Sequence, residues 1–144
     1  MSNMQQTFII IKPDAVERGL IGKIISRFED KYFQVTALQM RWKSWVWCER
    51  HYEHIVNKDI RDDLKDFMTA APIIGIVLVG PNVIATIRQM VGCTDSLAAL
   101  PGTIRGDFGT SPIMYNVIHA ADSEESARKE MAFFFDSETD QTHA

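Results

Sequence analysis

Four apolar runs, at 8–11, 33–40, 73–79 and 113–118, limit what this chain can fold into more than any other feature of it. Each is short and rich in β-branched or aromatic residues, which reads as a strand. Between them the period changes. Ile21, Ile24, Ile25 and Phe28 follow the spacing of an amphipathic helix, with Lys23, Arg27 and Glu29 off the stripe. A second helical pattern begins after Gly80, with Pro81 suited to a first helical position, and runs through Val83, Ile84, Ile87, Met90 and Val91 to a stop at Gly92. A third starts near Asp122, where Asp122 and Glu125 have capping-box spacing, and continues through Ala127, Met131 and Phe134. Residues 44–69 read as two short helices inserted between the second and third strands, with Ser44 as a cap. Residues 92–112 form a long loop rich in turn formers, and loops of that length are usually functional or disordered. The polar tail after Asp136 is expected to fray.

The order β-α-β-(αα)-β-α-β is a doubled split βαβ. Right-handed crossovers fold it into an α+β, ferredoxin-like βαββαβ sandwich, with a four-stranded antiparallel sheet, helices on one face and an inserted helical hairpin. With 144 residues, 46% of them hydrophobic, the span 1–144 reads as a single domain that needs no disulfide or metal staple. Cys48 and Cys93 have neither paired nor CxxC spacing, so they read as reduced thiols of a cytoplasmic protein. The apolar runs fall short of the roughly 20 residues of a membrane span. A net charge of −4 argues against a nucleic-acid binder. A few cations focused in one cleft can still hold a small phosphorylated ligand.

Lys12 ends the first strand, Arg88 lies in the second helix, and Arg105 sits among turn glycines in "PGTIRGD", with Thr94 in the same loop. Each cation alone reads as a solvated charge. Together they read as phosphate contacts, since arginine matches phosphate oxygens bidentately and strand ends and glycine loops allow close approach. His119 closes an apolar run, where a histidine is either packed or chemical. Glu130 falls on the buried stripe of the following helix and needs a partner there. Helical side chains lean toward the helix N-terminus, which is the end beside His119. A carboxylate on one imidazole nitrogen would fix the tautomer and leave the other free to attack. No carboxylate, His or Cys cluster has metal-ligand spacing.

"TFIIIKPDAVERGLIGKIISRFE", "PGTIRGDF" and "NVIHAADSEESA" resemble the nucleoside diphosphate kinase family, from about Thr7 to Phe135. The resemblance implies ping-pong transfer of the γ-phosphate of a nucleoside triphosphate to a nucleoside diphosphate through a phosphohistidine on His119. It implies that Lys12, Tyr52, Arg88, Thr94 and Arg105 hold the phosphates, that Asn116 with Lys12 meets the ribose 3′-hydroxyl, and that Glu130 orients His119. It also implies Mg2+ carried on the nucleotide and a homo-oligomer, hexamer or tetramer. The chain departs from the family pattern at four places. Ala121 stands where the family has Ser, and Ile60 where it has a base-stacking aromatic ring. An extra residue lies near Pro112, and Ala70-Ala71-Pro72 replaces a Ser/Thr-Gly-Pro. The losses at Ala121 and Ile60 raise an alternative, a nucleotide-binding sensor or scaffold with weakened catalysis. Trp42, Trp45 and Trp47 read as hairpin packing, but they cannot all share one buried helical face, so one is open to a subunit contact.

Overall fold

A computed structural model of the chain describes residues 4–141. Its elements are β1 (Met4–Ile11), α1 (Pro13–Glu17), α2 (Ile21–Asp30), β2 (Gln34–Arg41), α3 (Trp45–His51), α4 (Lys58–Thr69), β3 (Ile73–Pro81), α5 (Val83–Val91), α6 (Ile104–Phe108), β4 (Ile118–Ala120) and α7 (Glu124–Phe134), followed by a 3-10 turn at Ser137–Thr139. The four strands form one antiparallel sheet in the order β2-β3-β1-β4. This is the expected α+β plan with its inserted helical hairpin, α3 and α4.

The alternation of β1 divides the interior in two. Ile9 and Ile11 face a cluster with Ile24 and Phe28 of α2 and Val83, Ile87 and Val91 of α5. Phe8 and Ile10 face another, with Trp47 of α3, Met68 of α4 and Phe134 of α7. Helices therefore cover both faces of the sheet, not the single face expected. The reason lies in the central strands, which are apolar at successive positions and would otherwise expose one face to water. Gly75 on β3 makes this second layer possible, because a Cβ there would lie 2.4 Å from the Phe134 ring.

Other expectations are corrected at element ends. Pro81 does not open α5; it ends β3, paired with Met4, and Asn82 precedes the helix in a left-handed conformation. The cap of α7 is Ser123, whose hydroxyl accepts from the Ser126 N–H, rather than Asp122. The fourth strand is confined to Ile118–Ala120 and does not start at 113. The short helices α1 and α6 fall inside stretches that read as turn and loop. The tail is held through Gln141, and residues 142–144 lie outside the described residues. Lys43 is fully buried and donates to the Phe134 carbonyl, to Thr139 Oγ1 at 2.7 Å and to Asp140 Oδ1 at 2.6 Å. An ammonium so placed must be paired, and the tail supplies its partners. Among the described residues no helix is long and apolar enough to cross a membrane.

Candidate active site

His119 sits in the middle of β4, opposite Ile10 of β1. Its neighbours Ile118 and Ala120 point into the α2–α5 cluster, so strand alternation turns the imidazole toward α3 and α7. There Glu130 of α7 meets it, with Oε1 hydrogen-bonded to Nε2. The other ring nitrogen, Nδ1, has no hydrogen-bond partner among the described residues. A second ring completes the setting. His51 of α3 lies perpendicular to His119 at 4.9 Å between centroids and stacks on Trp47 at 4.6 Å. Burial, reinforced by His119, His54 and Lys12, holds His51 well below the ordinary imidazole range, so it is neutral.

Two guanidinium groups brace β4 on either side of His119. Arg105 of α6 donates to the Ile118 carbonyl at 2.6 Å and to the Gly92 carbonyl at 3.2 Å. Arg88 of α5 donates to the Ala120 carbonyl at 3.0 Å. Gly92 ends α5 with φ 88°, and a Cβ there would crowd Thr103 Oγ1 at 2.6 Å. That hydroxyl caps α6, accepting from the Gly106 N–H at 3.0 Å.

Lys12 follows β1 with the same parity as Ile10 and so shares the face of His119. Its Nζ donates to the Met114 carbonyl at 2.7 Å and to Asn116 Oδ1 at 2.8 Å, while Asn116 Nδ2 donates to the Thr94 carbonyl at 2.9 Å. Lys12, Arg105 and Asn116 are only 6%, 7% and 5% exposed. Burial lowers Lys12 from 10.5 to about 8, with Asp14 opposing and Arg105 adding to the shift. Burial, aided by Arg88, lowers Arg105 to about 10. Concentrated positive charge that is costly to bury without a counter-ion is an anion site in waiting.

His119, Glu130, Tyr52 and Arg88 line one cleft of about 760 Å³. Lys12, Arg105 and Asn116 are not among the residues lining it; Lys12 is joined to Asn116 by a hydrogen bond and to Arg105 by charge. Thr94 is exposed at the edge of this network, where its carbonyl rather than its hydroxyl is engaged. Ile60 lies apart, half exposed in the first turn of α4, with its N–H donated to the Asn57 cap. Ala121 is buried among Phe8, Ala127 and Phe134. The loop with the extra residue returns to α4 through Tyr115, whose ring meets Phe67 edge-on at 4.8 Å. Sequence reasoning missed His51, Asp122, Arg50 and Lys129, which also line the cleft. For His51 a signal existed: Trp47 and His51 are four apart, the spacing that stacks side chains on one helix face. Among the described residues no group of three or more His, Cys, Asp or Glu could hold a metal ion.

Comparison with known proteins agrees with this geometry. The family model for nucleoside diphosphate kinase matches residues 5–139. The nucleoside diphosphate kinase of Pyrococcus furiosus is 45% identical over 140 residues, which is 96% of this chain and 87% of that protein. That of a Thermus thermophilus strain is 47% identical over 132 residues, 92% of this chain and 96% of its own. Among solved structures, the Aquifex aeolicus nucleoside diphosphate kinase superposes with a TM-score of 0.86 at 37% identity, covering 96% of this chain and 99% of that one. A transition-state mimic of the Borrelia burgdorferi nucleoside-diphosphate kinase, with bound vanadate and ADP, gives 0.86 at 32% identity, covering 99% and 93%. The chain therefore belongs to the nucleoside diphosphate kinase family, and its activity is that family's phosphotransfer.

Proposed function

We propose that this phosphotransfer runs in two half-reactions through His119 Nδ1. The Nδ1 lone pair attacks the γ-phosphorus, the bond from phosphorus to the β,γ-bridging oxygen breaks, and the diphosphate leaves with that electron pair. In the second half a β-phosphate oxygen of another diphosphate attacks the same phosphorus and the P–N bond breaks. The observation that carries this reading is the Glu130 bond to Nε2. It keeps the proton on Nε2, so Nδ1 holds a lone pair, and it stabilises the positive charge that grows on the ring during attack.

Lys12, Arg88 and Arg105 are the groups for the phosphate oxygens, with Tyr52 and Thr94 as hydroxyl donors and Asn116 and Lys12 for the ribose 3′-hydroxyl. The bonds these cations make to backbone carbonyls hold them in place before substrate arrives, so little reorganisation is needed in the transition state. Mg2+ would neutralise charge between the β- and γ-phosphates. The residues fit an ion carried by the nucleotide, since the cleft offers cations for phosphate oxygen while Asp122 and Glu53 are its carboxylates beside Glu130. Residues 1–144 act as one domain in the cytoplasm. The chain works as a homo-oligomer, supported by Leu38, Met40 and Trp42, which follow one another at every second position along the edge strand β2 and its end, all exposed.

The test is to incubate the protein with γ-labelled triphosphate. An acid-labile phosphoprotein that any nucleoside diphosphate discharges is expected. Nucleotide binding without such a species would favour the sensor alternative.

A further inference from the structure

The segment that carries His119 enters β4 through a backbone conformation that its own residue disfavours. Val117 is fully buried with φ 63°. A β-branched residue takes that left-handed value only when its surroundings impose it, and such outliers gather where a fold needs an exact placement. The Ile118 N–H donates to the Asn116 carbonyl at 2.8 Å across Val117, which closes a three-residue γ-turn. One segment holds both polar groups of Val117. Its carbonyl accepts from the Lys12 N–H at 2.9 Å, and its N–H donates to Asp14 Oδ2 at 3.2 Å. Asp14, in the first turn of α1, is buried with its carboxylate facing the turn.

The turn has a working group on each side. Asn116 opens it, tied to Lys12 and to the Thr94 carbonyl. His119 follows directly after it, tied to Glu130. A turn that opened toward the ordinary β region would rotate one of these groups relative to the other. We infer that Asp14 is a positioning residue: by holding the Val117 N–H it keeps the left-handed turn closed and so registers Asn116 and Lys12 against His119. This rests on the reading above only in counting those residues among the working groups.

Turnover between a triphosphate and a different diphosphate is measured for wild type, Asp14→Ala, Asp14→Asn, Val117→Gly and the Asp14→Ala/Val117→Gly pair, with the crystal structure of each Asp14 variant. Asp14→Ala is expected to lower kcat at least about tenfold and to move KM less than about threefold, because misalignment acts on the chemical step. Asp14→Asn keeps a side-chain oxygen that accepts from the Val117 N–H and stays within about threefold of wild type. A glycine at 117 takes a positive φ without a Cβ penalty, so in that background Asp14→Ala costs less than about threefold. An equal loss in Asp14→Asn and Asp14→Ala would overturn the inference in favour of the charge beside Lys12. So would an equal loss from Asp14→Ala in both backgrounds, or a positive φ at Val117 retained in Asp14→Ala. If Asp14→Ala does not fold alone, recovery of fold and rate in the glycine background supports the inference, and failure there contradicts it. These readings are distinct from the nucleophile assignment, which His119→Ala tests separately through loss of the phosphoprotein.

Discussion

The floor of the site and the hairpin beside it are built on different terms. On the floor, Lys12, Arg105 and Asn116 are buried, and each makes two hydrogen bonds to other parts of the chain. On the hairpin, Ile60 is 50% exposed and its side chain meets solvent. The floor is assembled before substrate arrives and is tied into the sheet, so a change there costs alignment as well as contact. Ile60 is a surface position whose identity alters contact area and little else. Removing a floor group should therefore damage the chemical step, and changing Ile60 should move affinity alone.

The largest expected effect is that of His119→Ala, which removes the proposed nucleophile. Turnover should fall by roughly a thousandfold or more, since several kcal/mol of transition-state stabilisation are lost with a covalent catalyst. Steady-state assay with circular dichroism to check the fold decides it, and turnover above roughly a thousandth of wild type would break the assignment.

Arg105→Ala comes next. The substitution leaves the Ile118 and Gly92 carbonyls without their charged donor and takes a cation from the proposed phosphate site. We expect kcat/KM to fall by about a hundredfold, on the scale of one or two charge-assisted hydrogen bonds. Lys23→Ala, on the solvated side of α2, should change it less than about twofold. Equal kinetics for the two variants would erase the distinction between floor and surface.

Lys12 gives the floor a pH signature of smaller size. Its folded pKa is lowered to about 8 by burial, so the charged form that would attract phosphate is present below that pH and lost above it. Affinity for diphosphate should fall as pH rises through about 8, by up to about tenfold per unit. The contribution of Lys12 to stability has the opposite sign. An unfolded lysine keeps its proton up to 10.5 while the folded one releases it near 8, so between these values rising pH relieves the cost of burying the charge. Binding titrations of wild type and Lys12→Met from pH 6.5 to 9.5 check this, and parallel pH curves for the two proteins would remove Lys12 as the cause.

Ile60→Phe should have the smallest effect and should touch affinity alone. An added ring that stacks on the base would lower KM for purine and pyrimidine diphosphates alike, by about tenfold at most, with kcat nearly unchanged. An unchanged KM with both would mean that residue 60 faces away from the base and that the hairpin covers nothing there.

The same contrast governs how much the sequence disclosed. The first three strand runs, the α2 stripe and the cap at Ser44 were legible because each is a local pattern with a local cause. Glu130 was legible because a carboxylate on a buried helical stripe demands a partner. The clamp of Asp14 on Val117 was not, since the two are 103 residues apart and nothing in either residue announces a left-handed turn. The second helical layer was hidden for a related reason. It depends on Gly75 making room for Phe134, a long-range fit that periodicity does not carry. Pro81 misled because a proline suits either a first helical position or the end of a strand, and only pairing with Met4 decides between them. The burial of Lys43 was not legible either, since it depends on Asp140 and Thr139, 97 and 96 residues away, being brought to it.

The central claim is that Glu130 holds Nε2 of His119 and leaves Nδ1 to take the phosphoryl group. Its most direct test is to phosphorylate protein carrying 15N-labelled histidine and to locate the phosphorus by its scalar coupling to a ring nitrogen. The account predicts coupling to Nδ1 of His119, with Nε2 still protonated and bonded to Glu130. Coupling to Nε2, or a phosphoryl group on any other residue, would contradict it.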